Sequence, residues 1–121
     1  MAVSGEGGFG YHVAELETAR RIGIALPVIV LNNMSLGWMK ILQKERYGSN
    51  YVSSSYMDDL NYAKISESFG CKAARVERVS ELGEAVARAV QSNEVFVVEI
   101  MIDPDDCSST HLKSDPLAGD G

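Results

Sequence analysis

Two cysteines, three prolines, one tryptophan and two histidines are all that the 121 residues hold of those types. Cys71 and Cys107 are far apart and lack Cys-x-x-Cys or Cys/His spacing, which argues against a zinc site and suggests no disulfide framework. They read as ordinary thiols, Cys71 in a core and Cys107 in a tail. His12 and His111 have no ligand-like spacing, and His12 reads as a partly exposed helix residue. No apolar run approaches the roughly 20 residues that span a bilayer, and the start has neither a basic n-region nor a cleavage site. The expectation is a soluble, cytoplasmic chain with no membrane partner. Basic residues number 11 against 17 acidic, giving a net charge of −6, and they are dispersed. Without a cationic cluster to meet phosphates, nucleic acid is not expected as a partner. There is no internal repeat, and the length suits one domain with a core.

What is present is an alternation of short apolar runs and helix-patterned stretches. Ala2 and Val3 form a short strand before GEGGFG at 5–10. Val13, Leu16, Ala19 and Ile22 fall at three-residue steps among charges, which predicts a helix over 11–22 ended by Gly23. Pro27 introduces VIVL, a β-branched run suited to a central parallel strand, which stops at Asn32 and Asn33. A helix is predicted from Leu36 to Arg46, then a polar, Tyr-rich surface loop that reads as a lid. Asp58 or Asp59 is expected to cap the next helix, with Tyr62, Ile65 and Phe69 on one face and Gly70 at its end. A strand at 73–76, a helix capped by Ser80 with Leu82, Val86 and Val90 in its stripe, and a buried strand VFVVEIMI at 95–102 complete the pattern. The order β-α-β-α-α-β-α-β predicts an α/β fold, an open, mostly parallel sheet with helices on both faces. Residues 106–121 are expected to be a mobile tail.

In such sheets ligands sit beyond the carboxyl ends of strands, where both GEGG and Asn32-Asn33 fall. The glycines fit Gly-x-Gly-x-x-Gly, but a dinucleotide site wants a carboxylate at the end of the second strand, and two asparagines stand there. A carboxylate at one strand end opposite an amide oxygen at the next instead makes a site for a hard divalent cation sharing its shell with phosphate oxygens. Glu6, the Asn33 side chain and a backbone carbonyl just past it are the candidate metal ligands. The amides of Gly7 and Gly8 are the candidate phosphate donors. Each has a plainer reading: glycines easing a tight turn, Glu6 at a helix N-terminus, asparagines capping or turning. Trp38, Met39 and the tyrosines at 47, 51 and 56 read as packing or interface groups.

Gly-Glu-Gly at 5–7 and Asn-Asn at 32–33, with 24 residues between them, resemble the Gly-Asp-Gly…Asn-Asn signature of thiamine-diphosphate enzymes. The resemblance continues through ELETA, LPVIVLNN, LGW, DLNYAKISESFG and VFVVEIMIDP and is nearest the acetolactate synthase and 2-oxoacid decarboxylase group. It implies metal ligation by Glu6, Asn33 and the Ser35 carbonyl, and diphosphate contacts along Gly7, Gly8, Leu36 and Gly37. The implied cofactors are thiamine diphosphate and magnesium, with manganese or calcium as alternatives. The implied chemistry is attack of the cofactor on a 2-oxoacid with loss of carbon dioxide. The implied partners are a complementary pyrimidine-binding domain or subunit and further copies in a homo-oligomer.

Two departures stand out. Glu6 occupies the position of the family's Asp. The chain also lacks the earlier strands of the domain and the pyrimidine-binding domain with its activating glutamate, so no residue takes a catalytic role and the chain alone is not expected to turn over a 2-oxoacid. Other readings are a non-catalytic assembly or regulatory module that keeps the fold, and a nicotinamide-binding domain.

Overall fold

A computed structural model describes residues 1–104. The tail expected at 106–121, with Cys107 and His111, lies outside the described residues. Four strands, β1 (Ala2–Gly5), β2 (Pro27–Asn32), β3 (Lys72–Val76) and β4 (Phe96–Met101), form one sheet in the order β1-β2-β4-β3, every pairing parallel. Five helices connect them: α1 (Glu6–His12), α2 (Glu15–Arg21), α3 (Gly37–Tyr47), α4 (Tyr62–Ser68) and α5 (Val79–Gln91).

Alternation along the strands sorts the core into two layers. Val28, Val30 and Val97 pack with Phe9, Leu16, Ala19 and Tyr62 from α1, α2 and α4. Ile29, Val76, Phe96 and Val98 pack with Ala85 and Ala89 from α5. Val30, Val97 and Val98 are fully buried, each contributing about 1.5–3 kcal/mol of apolar burial. The chain moves from β1 to β2 by α1 and α2 and on to β3 by way of α4 on the first face, then returns from β3 to β4 through α5 on the second. That reversal of face with direction is what right-handed crossovers require. Helices therefore cover both faces, as the alternating pattern predicts. No helix among the described residues is long and apolar enough to cross a membrane.

Several local expectations are corrected. The helix predicted over 11–22 is two, α1 and α2, and α1 begins at Glu6, inside the glycine run. Glycine costs a helix about 1 kcal/mol per residue relative to alanine, and here the bare Cα atoms let neighbouring side chains come close. A Cβ on Gly7 would sit 3.1 Å from Leu36, one on Gly8 2.9 Å from the Ser4 hydroxyl, and one on Gly10 3.2 Å from the Tyr62 hydroxyl. The cap of α4 is Asn61, whose side chain accepts the Lys64 N–H at 2.8 Å, and not Asp58 or Asp59. Helix α5 starts at Val79 after Arg78 with no side-chain cap, and Val90 is exposed while Ala85 and Ala89 face the sheet. Gly23 and Gly70 end α2 and α4 with positive φ, where a side chain would be strained.

Candidate functional site

The carboxyl ends of β1 and β2 lie side by side, with Gly5 in register with Leu31. Glu6 opens α1 directly after β1, and Asn33 follows β2 directly. Adjacent parallel strands thus bring together two residues far apart in sequence. Glu6, Gly7, Asn33, Ser35, Leu36 and Gly37 line one cleft of about 380 Å³. Gly8 lies one position further into α1, where it abuts Ser4. Leu31, Trp38, Met39 and Ile102 give the cleft an apolar wall.

The turn after β2 is built by its two asparagines. Asn32 Oδ1 accepts the Met34 N–H at 2.8 Å, and Asn33 Oδ1 accepts the Ser35 N–H at 3.1 Å. Two successive Asx turns hold Met34 at φ +56, a left-handed conformation that costs a non-glycine residue on the order of 1 kcal/mol. The Tyr-rich segment closes on this turn: the Leu36 N–H donates to the Ser54 carbonyl at 2.8 Å and the Tyr56 N–H to the Met34 carbonyl at 2.9 Å. This short antiparallel bridge between Ser35 and Ser55 packs part of the expected surface loop against the turn, with Ser54 buried.

Glu6 is 5% exposed. Burial pushes its carboxyl above the usual carboxylate value, opposed by the backbone N–H groups of Glu6, Asn33 and Ser35. Burial and then the Glu6 charge also raise Tyr56. Tyr62 is pushed up to about 12 by burial, then by the charges of Tyr56, Glu6 and Glu99, so both hydroxyls keep their protons at neutral pH. A buried carboxylate held by peptide dipoles, beside an amide oxygen and a serine backbone, is a hard-oxygen donor set that suits a divalent cation. Among the described residues no group of three His, Cys, Asp or Glu converges.

One residue of the neighbourhood escaped the sequence reading. Glu99 is fully buried in β4 and accepts a hydrogen bond from Asn32 Nδ2 at 2.6 Å. Its signal was a single acid inside the otherwise apolar VFVVEIMI. Cys71 is buried as expected, and burial raises its thiol.

Residues 1–100 match the family model described as thiamine pyrophosphate enzyme, C-terminal TPP binding domain. The acetolactate synthase large subunit of Buchnera aphidicola subsp. Schizaphis graminum is 34% identical over 126 residues, covering 100% of this chain and 21% of that protein. The 2-hydroxyacyl-CoA lyase of Arabidopsis thaliana is 32% identical over 113 residues, covering 86% of this chain and 19% of that protein. Benzoylformate decarboxylase from Polynucleobacter necessarius superposes with a TM-score of 0.78 at 21% identity, over 85% of this chain and 19% of that one, a likeness of fold. The chain thus spans about a fifth of the length of these relatives.

Proposed function

Because the chain belongs to the thiamine pyrophosphate enzymes, matching their C-terminal TPP-binding domain, we propose that its cleft holds the cofactor's diphosphate through a divalent cation. The observation that carries this reading is the convergence of Glu6, Asn33 and Ser35 at the carboxyl ends of two adjacent parallel strands. Glu6, the Asn33 side-chain oxygen and the Ser35 carbonyl would hold magnesium, or manganese or calcium. Diphosphate oxygens and water would complete a near-octahedral shell. Gly7, Gly8, Leu36 and Gly37 would lie along the diphosphate, the N–H groups of Gly7, Gly8 and Gly37 donating to its oxygens, while the Leu36 N–H is held by the Ser54 carbonyl.

The parent activity is that of an acetolactate-synthase-like carboligase or a 2-oxoacid decarboxylase, with residues 1–105 as a partial cofactor domain. When bound, thiamine diphosphate supplies the carbon nucleophile for attack on a 2-oxoacid. This chain's residues contribute anchoring: a cation at Glu6 offsets the charge that burial disfavours, and the Ser54–Tyr56 segment shields the Asn33–Ser35 turn from water. A complementary pyrimidine-binding domain or subunit and an oligomeric assembly would supply the activating glutamate and the substrate pocket.

Calorimetric titration with thiamine diphosphate, with and without Mg2+ or Mn2+ and beside NAD, tests this. Saturable binding of thiamine diphosphate that needs the cation is expected. Silence to both would favour a fold-retaining assembly module, and binding of NAD a nicotinamide domain; either would overturn the reading.

A further inference from the structure

Glu99 lies at the middle of β4 with no exposed surface, and it bonds to Asn32, Ala63 and Arg75, which stand outside the cleft's lining. One oxygen accepts from Asn32 Nδ2 at 2.6 Å; the other accepts the Ala63 N–H at 3.1 Å and faces Arg75 Nη1 at 3.5 Å. The carboxylate therefore receives donors from β2, β3 and the start of α4 at once. On its far side Asn32 turns its oxygen to the Met34 N–H at 2.8 Å. The orientation of the Asn32 amide is fixed by what stands at its two ends: nitrogen toward an acceptor, oxygen toward a donor. Reversed, its NH2 group would meet the Met34 N–H, donor against donor, and the left-handed turn at Met34 would lose the bond that holds it.

We propose that Glu99 is a positioning residue for the cofactor site: its carboxylate sets the polarity of the Asn32 amide, and through it the Met34 turn that presents Asn33 and the Ser35 carbonyl. This rests on the metal-binding reading of Glu6, Asn33 and Ser35. The position requires an acceptor on both sides. A glutamine there offers one acceptor and one donor, so it either faces the Ala63 N–H with its own NH2 group or points that group at Asn32 and forces the amide round. An aspartate in place of Asn32 repairs the second arrangement. The glutamine NH2 group then donates to one aspartate oxygen, the other aspartate oxygen accepts from Met34, and the glutamine oxygen accepts from Ala63.

The experiment compares the 121-residue chain with E99Q, the double variant N32D/E99Q, and V76A, a loss of core volume on the opposite face of the sheet. Two quantities are read: Mn2+ affinity in the presence of thiamine diphosphate, by electron paramagnetic resonance of free Mn2+, and hydrogen exchange of the Met34 amide with neither ligand present. E99Q is expected to weaken Mn2+ binding at least about tenfold and to expose the Met34 amide. The double variant is expected to recover both, and V76A to lose thermal stability while changing neither. Parent-like affinity and Met34 protection in E99Q, or losses no greater than those of V76A, would overturn the inference. Should E99Q fail to fold, the double variant decides: Met34 protected supports the proposal, Met34 unprotected in a folded chain overturns it. If the parent binds no Mn2+, the metal reading falls, and Met34 exchange still tests whether Glu99 holds the turn.

Discussion

The side-chain oxygen of Asn33 accepts two hydrogen bonds from a single residue, the amide and the hydroxyl of Ser35, each at 3.1 Å. Both lone pairs of that oxygen are thereby engaged. A cation approaching it must displace one donor, and the rotatable hydroxyl yields before the backbone does. Removing the hydroxyl leaves the Ser35 carbonyl in place and deletes the competitor. Ser35→Ala is therefore expected to tighten Mn2+ binding about fivefold, the equivalent of one hydrogen bond of about 1 kcal/mol. Titration of Mn2+ with thiamine diphosphate present checks this; weaker binding would mean that the hydroxyl helps the cation.

Glu6 stands one methylene further from the backbone than an aspartate would, a displacement of about 1.5 Å. Magnesium holds its oxygens at about 2.0–2.1 Å in strict geometry. Glu6→Asp is expected to tighten Mg2+-dependent binding of thiamine diphosphate severalfold, and to do less for Ca2+, which tolerates looser shells. Equal or weaker binding by calorimetry would show that the cleft is shaped for the longer side chain.

Burial raises the Glu6 carboxyl, so the folded chain holds that proton more tightly than the unfolded chain. The resulting stability is fully present below the ordinary value of 4.5 and is lost as pH rises through the folded value. At neutral pH the buried charge therefore destabilises the fold. Glu6→Gln is expected to raise the unfolding temperature by a few degrees at pH 7, with the gain vanishing toward pH 4.5. Thermal melts at the two pH values, without metal, measure it; a variant less stable than the parent at pH 7 would contradict it.

Among the described residues β1 pairs only with β2, and its outer edge is open. On that edge strand Val3 is 60% exposed, and Leu31 beside it on β2 is 37% exposed. An unpaired edge flanked by apolar side chains is a site of strand addition. The chain is expected to self-associate with rising concentration, and Val3→Lys to shift it toward monomer. Sedimentation velocity across a concentration series reads this directly, and a monomer at every concentration would refute it.

The strands were legible because β-branched apolar runs between turn residues leave little alternative. VIVL and VFVVEIMI became β2 and β4 within a residue of their expected limits. Glu6 and Asn33 were legible as a pair because adjacent parallel strands end together. The start of α1 was not, since propensity disfavours three glycines in a helix, and the close approach of Leu36, Ser4 and Tyr62 comes from elsewhere in the chain. Four-residue spacing picked Val90 for the sheet face of α5. The small side chains of Ala85 and Ala89 take that face instead, letting the helix lie close to the strands. Glu99 was absorbed into an apolar run, because its partners come from three other elements and no local pattern announces them.

The strand order β1-β2-β4-β3 has a kinetic consequence. Although β4 comes last among the described strands, it occupies an inner place, flanked by β2 and β3. The bond between Asn32 and Glu99 spans 67 residues. Among the described strands, before residues 96–101 arrive, β3 has no neighbour and β2 has only β1. Closure of such distant contacts is slow. The nascent chain must therefore keep two hydrophobic layers apart, and out of reach of other chains, until β4 slides between strands already made.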